Sequence, residues 1–594
     1  MQFADLAASD PASIDHRTLR FDPVHSPDQD AAEPVRHPVV VVGAGPVGLA
    51  LAIDLAQRQV PVVLLDHEGM LSTGSRAICF AKRTLEIFDR LGCGEPMAGK
   101  GVAWSVGKVF FRDALIYSFD LLAEAGREPA GPPQGRTPER EARRPTDQRP
   151  AFINLQQYHV EGYLARRAAQ LPLIDARWMH KLVGVDPHPD HVLLTLDTPA
   201  GPYHLKADHL MACDGSRSTV RRLIGQESTG RVFRDRFLIA DVKMNVDRPA
   251  ERWFWFDPRF HPNQSVLLHM QPDGIWRIDF QLGWDADPQE ETKPENIIPR
   301  VRALLGADVP FELVWASVYT FACQRMAKFR HGRVLFAGDS AHGVSPFGAR
   351  GANSGVQDAD NLAWKLALVL RGQAPDALLD SYAAEREYAA DENIRHSTRA
   401  TDFITPKSEI SHLFRDAVLD LAKHFPFART LVNSGRLSVP ATLHGSALNT
   451  PDTPDPSATA AFDGAMVPGA AAADAPVTLP DGSDGWLLRQ LGEGFTALVF
   501  DADGAVATSL RTVGDGLVPV SILSVMRSGA RTSATSAHTT AHTIVDRDGW
   551  VAERYDLRPG SVILLRPDQH VCARWRQASP EAVRNALKRA LAMT

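Results

Sequence analysis

The chain has 594 residues, enough for two or three domains, and its 44% hydrophobic and 23% charged residues are typical of a globular protein. Its 64 lysines and arginines against 71 aspartates and glutamates give a net charge of −7, which argues against nucleic acid as the main partner. The five cysteines show neither a metal-binding spacing nor a disulfide framework, so we expect reduced thiols and no metal.

The N-terminal segment, residues 1–36, is polar, rich in Asp and Pro and without periodicity, so we expect a flexible arm. It lacks a basic stretch followed by an apolar core, so no signal peptide is expected. The most apolar stretch, 39–56, is interrupted by three glycines, a proline and an aspartate. This pattern indicates a buried strand and helix, not a membrane span, and we expect a cytoplasmic protein.

A β-α-β unit follows the arm. A valine-rich strand leads into Gly-Ala-Gly-Pro-Val-Gly at 43–48, and a helix and a second strand follow, ending at Asp66. In this pattern Gly43 allows a tight turn, Gly45 lets a pyrophosphate approach, and Gly48 lets the helix and strand pack closely. Asp66 is placed to bind ribose hydroxyls. The unit predicts dinucleotide binding.

The next part of the chain is less regular. Arg76 could neutralise a phosphate, although a plain surface arginine is the alternative. Residues 123–150 are rich in Pro, Gly, Arg and Glu, which predicts a long excursion. A helix at 157–169 and two strands, the second ending at Asp214, complete this part.

From 237 to 282 the apolar residues recur every second position, which predicts a mixed or antiparallel sheet. We expect a pocket between this sheet and the dinucleotide-binding domain to be the substrate site. One face of the last strand must point at that pocket. The two alternatives are a polar face, formed by Arg277, Asp279 and Gln281, and an apolar face, formed by Trp276, Ile278 and Phe280.

A short apolar strand ending at Gly338 is followed by a loop with several breakers, and then by a helix from about Asn353. A glycine-rich loop that opens a helix presents free N–H donors and partial positive charge to an electron-rich ring such as a reduced flavin. Gly351 would let such a ring approach, and Asp339 could accept hydrogen bonds from a sugar-like hydroxyl chain. The alternative is an ordinary strand-to-helix turn.

The last part of the chain consists of helices at 362–431, a linker at 441–460 and a small α/β domain at 461–594. In that domain we predict strands near 496–500, 542–545 and 562–565 and a final helix from about residue 580. It contains a single cysteine, Cys572, and therefore no pair for thiol redox chemistry.

Three motifs together resemble the fingerprints of the single-component FAD-dependent aromatic hydroxylases. They are the glycine pattern at 43–48, Cys213-Asp214-Gly215, and Gly338-Asp339-Ser340-Ala341-His342. The continuation at 353–366 is also very specific to that group, and the resemblance covers 39–431. The last domain resembles the thioredoxin-like tail of the phenol hydroxylase and 3-(3-hydroxyphenyl)propionate hydroxylase branch, through Arg558-Pro559-Gly560 and the stretch 565–571.

The resemblance implies an α/β fold with a Rossmann-like FAD-binding domain, an inserted mixed β-sheet substrate domain and a small thioredoxin-like α/β C-terminal domain. The implied bounds are 37–236 with 325–440, 237–324 and 461–594. NADH or NADPH would bind transiently, because no second dinucleotide-binding domain is visible. The expected partners are a small aromatic substrate and O2, with no membrane, and a homodimer is expected.

The resemblance also implies the residues that contact FAD. Asp66 would bind the adenosine ribose, Leu182 the adenine and Asp339 the ribityl chain, while the loop from Pro346 would hold the flavin edge. The full implied set is Gly43, Ala44, Gly45, Pro46, Gly48, Asp66, Arg76, Gln157, Leu182, Asp214, Asp339, Pro346, Gly351, Ala352 and Asn353.

The implied reaction is hydroxylation of a phenolic or related aromatic compound with NAD(P)H and O2, by way of a flavin C4a-hydroperoxide. Three alternatives stay open: a monooxygenase acting on a polyketide or N-heterocyclic ring, a flavoprotein reductase or oxidase without oxygen insertion, and a non-enzymatic flavin-binding regulator. The sequence itself does not reveal the substrate.

Two positions depart from the family pattern. Arg350 stands in a Gly-Ala-Arg-Gly stretch where the family has Gly-Gly-Gln-Gly, and Ile78 stands where phenol hydroxylases have a proton-accepting aspartate. The general base is therefore open. The candidate catalytic residues come from the predicted sheet side: Tyr117, His269, Arg277, Asp279 and Tyr319.

Overall fold

The computed structural model describes residues 1–8, 14–121, 147–432, 437–452, 461–501, 504–527 and 542–593. The chain divides into two compact units. The first comprises 1–127, 150–359 and 390–439, and the second comprises 128–149, 360–389 and 440–594, each in its described part. The excursion predicted at 123–150 lies largely outside the described residues. No helix among the described residues is long and apolar enough to cross a membrane.

The first unit is built on an eight-stranded sheet. Six of its strands run in the order Arg330–His331, Val334–Phe336, Tyr203–Ala212, Val35–Val42, Val62–Asp66 and Ile174–Trp178. The other two extend it from Tyr203–Ala212, which pairs with Val192–Asp197, which in turn pairs with Lys181–Pro187. Strand Val35–Val42 is parallel to both of its neighbours, Tyr203–Ala212 and Val62–Asp66. Val42 lies level with Leu65 and with Ala212, and Ala212 lies level with Phe336. Four strands therefore end at one edge, which is where each of the sequence motifs begins.

The helices of this unit lie at Pro46–Gln57, Lys82–Arg90, Gly94–Lys100, Gln157–Ala169, Thr219–Leu223, Pro288–Glu291, Pro294–Leu305, Glu409–His424 and Pro426–Arg429. Two long helices, Gly351–Leu370 and Leu378–Ile404, contribute residues to both units. Short 3₁₀ turns occur at Phe3–Ala7, Pro27–Asp30, Pro272–Gly274 and Gly338–Ser340. Pro46 stands in the first helical turn, where its missing N–H costs no hydrogen bond.

A second sheet of the first unit has seven strands. They run in the order Glu312–Tyr319, Arg236–Lys243, Ile275–Leu282, Ser265–Met270, Arg252–Phe256, Val106–Phe111 and Ala114–Asp120. The predicted insertion at 237–324 is therefore too short, because two strands from 106–120 complete the sheet. Two smaller sheets consist of Ser228–Val232, Ala322–Met326 and His342–Gly343, and of Cys79–Ala81, Phe152–Asn154 and Val102–Trp104.

The two faces of the seven-stranded sheet differ sharply. The apolar face packs against helix Pro294–Leu305, where Trp276, Ile278 and Phe280 contact Ile297 and Val301 in one buried cluster. Burying these side chains stabilises the sheet by roughly 1.5–3 kcal/mol for each. The polar side chains of the same strands must therefore point the other way.

The N-terminal segment is not the loosely held arm expected from its composition. Its described residues, 1–8 and 14–36, pack on the first unit. The Phe21 ring stacks on Trp178 with centroids 4.2 Å apart, and His16 is buried against His159 and Tyr163. A few aromatic side chains thus provide enough burial to order a polar segment, which mean composition does not indicate.

The second unit contains a seven-stranded mixed sheet. Its strands run in the order Asp484–Trp486, Pro476–Thr478, His542–Asp546, Val520–Arg527, Phe495–Phe500, Val562–Leu565 and Val571–Trp575. Its short helices are Ala505–Ser509, Trp550–Arg554 and Pro580–Ala590, with a 3₁₀ turn at Leu487–Gln490. The predicted strands and final helix are present. The expected linker is instead packed in its described part, since Leu443 and Leu448 are buried and Thr450 donates to the Cys572 carbonyl.

Cys572 is buried in this unit and burial raises the pKa of its thiol to about 12, so it is inert at neutral pH. Nearby, four buried charges form a cluster. Arg566 pairs with both Glu385 (2.6 Å) and Asp568, and Lys365 pairs with Glu385 at 2.7 Å. Each charge has an opposite partner, which a buried ion requires.

Phe21→Ala should lower the apparent free energy of unfolding by about 3–5 kcal/mol, because it removes a buried aromatic side chain and leaves a cavity beside Trp178. Urea denaturation followed by tryptophan fluorescence measures this change. Arg17→Ala is the matched control in the same segment. Its side chain is half exposed and pairs only with Asp15 among the described residues, so we expect a change within about 0.5 kcal/mol. Equal small effects for both variants would contradict a packed arm.

Candidate active site

A cavity of about 940 Å³ opens at the edge where the parallel strands of the first sheet end. It is lined on one side by the glycine motifs and on the other by the seven-stranded sheet. All the residues predicted to bind the cofactor line it except Ala44 and Gly48. Four of the five candidate catalytic residues, His269, Arg277, Asp279 and Tyr319, also line it.

Each of the three glycines of the first motif has a different structural role. Gly43 has φ +104°, and a Cβ there would lie 2.4 Å from the Cys213 carbonyl oxygen. A Cβ on Gly48 would lie 1.9 Å from the Gly43 carbonyl oxygen, so this glycine allows the helix to meet the turn. A Cβ on Gly45 would meet no protein atom within 4 Å. The space in front of Gly45 is thus open, at the N-terminus of helix Pro46–Gln57, and it fits a pyrophosphate.

Asp66 at the end of the second strand is already bonded to the backbone. Its Oδ2 accepts from Ala44 N–H at 2.6 Å and its Oδ1 from Glu68 N–H at 2.9 Å. A carboxylate oxygen has two lone pairs, so each oxygen keeps capacity for a ribose hydroxyl. Asp66 therefore shapes the glycine turn and can also face the adenosine end of FAD.

Gln157 and Arg76 line the same part of the cavity in different ways. Gln157 is held by Ser72 and by Glu161, to which its Nε2 donates at 3.1 and 2.8 Å. Burial raises the pKa of the Glu161 carboxyl group. Arg76 is exposed and has no side-chain partner among the described residues, so it is available to an anionic group such as a phosphate.

The loop after strand Val334–Phe336 brings Asp339 to the cavity wall. A Cβ built on Gly351 would lie 3.9 Å from Asp339 Oδ1, so the carboxylate and the start of helix Gly351–Leu370 are neighbours. The exposed side chain faces the cavity. Its surroundings are enclosed enough for burial to raise the pKa of Asp339, although His342 and Arg76 lower it. This arrangement fits a ribityl chain that leads to a flavin at the helix N-terminus.

Asn353 is fully engaged in fixing the backbone at this point. Its Oδ1 accepts from Ala81 N–H at 2.8 Å, and its Nδ2 donates to the carbonyls of Cys79 (2.9 Å) and Ala349 (2.6 Å). The side chain therefore positions the loop that would hold the flavin edge. A direct side-chain contact with the ring is not needed for this role.

The opposite wall carries a row of polar side chains set by strand register. Arg252 lies opposite His269, His269 opposite Arg277, and Arg277 opposite Asp241. Directly paired residues point to the same face of a sheet, so the four side chains form one line. Arg277 is neutralised within it, since its Nε and Nη2 donate to the two Asp241 oxygens at 2.8 and 2.7 Å. The polar face, not the apolar one, meets the cavity.

His269 and Asp279 are adjacent members of this wall. Their Nε2 and Oδ2 atoms lie 3.6 Å apart. Burial, aided by Arg252 and Arg277, lowers the pKa of His269 well below its usual value, so the imidazole is neutral. Burial raises the pKa of Asp279 to about 6, with the Asp241 charge adding to the rise and Arg277 and Arg252 opposing it. Tyr319 has its pKa raised well above the ordinary value, first by burial and then by Asp279.

Of four further residues singled out in the sequence, Gln281 and Tyr117 do not line the cavity, whereas Arg350 and Ile78 do. Gln281 is turned to the Ser265 backbone, whose N–H donates to its side-chain oxygen at 3.0 Å. Tyr117 lies beneath the Arg429 guanidinium and does not line the wall. Arg350 does line it, and its Nη1 also donates to Asn393 at 3.1 Å. Ile78, in the place of the family aspartate, adds only apolar surface.

Sequence reasoning missed Arg252. This residue begins the aromatic strand Arg252–Phe256, and period-two alternation places it on the face opposite to Trp253. Alternation along the strand could therefore have placed Arg252 on the polar face. Whether it has an ion-pair partner depends on residues of other strands, which the local sequence does not indicate. Among the described residues no group of three or more His, Cys, Asp or Glu side chains is arranged to hold a metal.

Gly45→Ala should reduce FAD content and raise the dissociation constant for FAD at least tenfold, while the fold is kept. The new methyl group meets no protein atom but occupies the space that fits the pyrophosphate. Reconstitution of the apoprotein followed by flavin fluorescence measures the affinity. Gly48→Ala is the contrast, because its clash with Gly43 should lower the stability of the fold itself. Unchanged FAD affinity in Gly45→Ala would contradict this assignment.

Known proteins resemble the chain over most of its length. The family described as "FAD binding domain" matches residues 36–397. A 3-(3-hydroxy-phenyl)propionate/3-hydroxycinnamic acid hydroxylase of Mycobacterium sp. (strain KMS) is 28% identical, over 89% of this chain and 87% of its own length. A probable NADH-specific resorcinol 4-hydroxylase of Rhodococcus jostii (strain RHA1) is 32% identical, over 59% of this chain and 62% of its own.

Solved structures agree on the fold. The flavin-dependent monooxygenase PieE, in complex with FAD and substrate, aligns with a TM-score of 0.76 and 21% identity, over 95% of this chain and all of PieE. The p-nitrophenol 4-monooxygenase PnpA from Pseudomonas putida DLL-E4 aligns with a TM-score of 0.58 and 27% identity, over 68% of this chain and 99% of its own. With the fingerprints gathered at one strand edge, the chain belongs to the FAD binding domain family, in its branch of FAD-dependent aromatic hydroxylases.

Proposed function

We propose that the protein hydroxylates a phenolic ring with O2, using NADH or NADPH as the reductant. The observation that carries this proposal is the wall of Asp279, His269 and Tyr319, which shares one cavity with Asp339 and Gly351 of the flavin loop. When bound, FAD supplies the activation of O2 and the transfer of one oxygen atom to the ring. The residues of the chain bind and orient the substrate, exclude water and accept a proton.

Asp279 is proposed as the general base. Its pKa of about 6 leaves the carboxylate ionised at neutral pH, when it can accept the proton of a phenolic hydroxyl. A phenolate ring is richer in electrons and reacts more readily with an electrophilic oxygen. The neutral imidazole of His269 lies beside it, with Nε2 3.6 Å from Asp279 Oδ2. Asp279 would thus take the place of the proton-accepting aspartate that phenol hydroxylases have where this chain has Ile78.

The cavity also carries apolar surface that supports a water-excluding role. With FAD bound, an enclosed site that keeps water away would favour transfer of oxygen to the ring over its release as hydrogen peroxide. Side chains without polar groups cannot hold ordered water between the ring and the flavin edge. The apolar lining residues include Ile78, Ile239, Leu267, Phe321 and Phe347.

The names of the relatives support a phenolic substrate and a nicotinamide reductant. They include hydroxylases of a hydroxyphenyl propionate and of resorcinol, the latter named as NADH-specific, and a para-nitrophenol 4-monooxygenase of Pseudomonas sp. (strain WBC-3). A 6-methylpretetramide 4-monooxygenase of Streptomyces rimosus, 29% identical, keeps polyketides among the compounds to test.

We also propose that the protein is a cytoplasmic homodimer. Light scattering after gel filtration tests the oligomeric state.

The proposal predicts tight coupling between reductant and product. With a panel of phenols, NADH and NADPH consumption should match O2 consumption, and mass spectrometry should find one atom of isotopically labelled oxygen in the ring. Reductant oxidation that yields hydrogen peroxide but no product with any aromatic compound would identify a reductase or oxidase. Product from a polyketide or an N-heterocycle alone would overturn the phenolic substrate class.

Asp279→Asn should lower kcat/KM by about 10²–10⁴-fold, because an amide cannot accept the phenolic proton. In the wild type, activity should fall as the pH drops through about 6, where Asp279 becomes protonated. The variant should lose this acidic limb of the pH profile. Gln281→Ala is the matched control, since Gln281 lies on the same strand face without lining the cavity, and it should keep the limb. A variant that retains both the rate and the limb would rule out Asp279 as the base.

A further inference from the structure

The Arg252 guanidinium differs from the other buried arginines of the molecule. Only 8% of the residue is exposed, and the side chain lines the cavity. In the part of the chain that the structure describes it makes no side-chain hydrogen bond and no ion pair, and its Nη1 is buried without any partner. By contrast, three other buried arginines are each paired with carboxylates. The pairs are Arg277 with Asp241 (bidentate), Arg177 with Asp28 and Asp175, and Arg566 with Glu385 and Asp568.

A buried charge without a partner is energetically costly. An arginine side chain carries its positive charge in proteins, so the cost of burying it is offset only by a partner group. The favourable solution is an anion that enters the cavity and pairs with it. A guanidinium presents two parallel N–H groups to a carboxylate, which gives both affinity and orientation.

The charges around Arg252 leave room for such an anion. Arg277 is already balanced by Asp241, and the buried His269 imidazole is neutral. Asp279 feels the attraction of Arg252 but forms no ion pair with it, and its pKa stays raised at about 6. Among the described residues, Asp279 therefore forms no ion pair that would neutralise the guanidinium.

We propose that Arg252 is the subsite for an anionic oxygen of the substrate. This inference rests on the proposed function and narrows its substrate class to aromatic compounds that present a carboxylate or a phenolate to strand Arg252–Phe256. The two sources share one chemistry, a negatively charged oxygen that accepts two N–H donors. With the ring anchored at Arg252, the phenolic position is directed within the same cavity as Asp279 and the flavin loop.

The test compares matched substrates in Arg252→Met and Arg252→Lys. Suitable probes are 3-(3-hydroxyphenyl)propionate, its neutral amide, and p-nitrophenol, whose phenolate absorbs visible light. For a carboxylate source, Arg252→Met should raise KM for the acid by about 10- to 150-fold and leave the amide unchanged, as expected for charge-assisted hydrogen bonds. Arg252→Lys, which keeps the charge but loses the planar fork, should fall between the wild type and Arg252→Met.

For a phenolate source, Arg252→Met should raise KM for the acid and the amide alike, and the bound p-nitrophenol should no longer show its phenolate spectrum. Arg248→Met is the matched control. Arg248 lies just before the same strand, over the Trp253 ring and away from the cavity lining, so its loss should change no KM. Far-UV circular dichroism and FAD content establish that each variant is folded, and the Lys variant serves if the Met variant is not.

Two results would overturn the inference while leaving the proposed function intact. One is an unchanged KM for all three probes in both variants. The other is an effect confined to the acidic limb of the pH profile, which would make Arg252 only an electrostatic neighbour of Asp279. If the wild type oxygenates no phenol at all, the proposed function itself fails, and that outcome is visible before any variant is made.

Discussion

One buried carboxylate, that of Asp358, fastens the loop on which the whole site depends. Its Oδ2 accepts hydrogen bonds from Gly338 N–H at 2.9 Å and from His342 Nε2 at 2.7 Å, and neither the Asp358 nor the His342 side chain is exposed. Hydrogen bonds to a buried charge are strong, and breaking one leaves the other group unsatisfied. Because Asp358 belongs to helix Gly351–Leu370, the loop with Asp339 and the N-terminus of that helix are held as one piece.

The parts of the fold that follow from local sequence were predictable. The glycine turn, the second strand ending at Asp66 and the long helix after Gly351 all have short-range signals, and parallel register brings their ends together. The strands at 106–120 and the packed arm depend on partners far along the chain, as in the pairing of Phe21 with Trp178. Such pairings carry no local pattern, so composition alone gave the wrong expectation.

In the candidate site too, features with a local sequence pattern were predictable and features that depend on distant contacts were not. Alternation identified Arg277 and Asp279 as one face, but helix Pro294–Leu305 decides that the other face is buried, and its contact is non-local. The family stretch at 353–366 likewise has two roles. Its first part fixes the flavin loop, whereas Asn361 and Lys365 belong to the buried charge cluster around Glu385. Resemblance to a family therefore indicates which residues matter more reliably than it indicates their physical task.

The two faces of the seven-stranded sheet separate stability from recognition. Residues that pack on helix Pro294–Leu305 tolerate little change, because any alteration of volume leaves a cavity or a clash. Arg252, His269 and Arg277 of the polar row line the cavity instead, so a different side chain at these positions changes the surface that a ligand meets. Alternate positions on the same strands thus evolve under different constraints. Lineages that inherit this scaffold can diverge in substrate by changing the polar row, and a mutant library that varies Arg252 and His269 but keeps the buried Arg277–Asp241 pair would sample new specificities while keeping the fold.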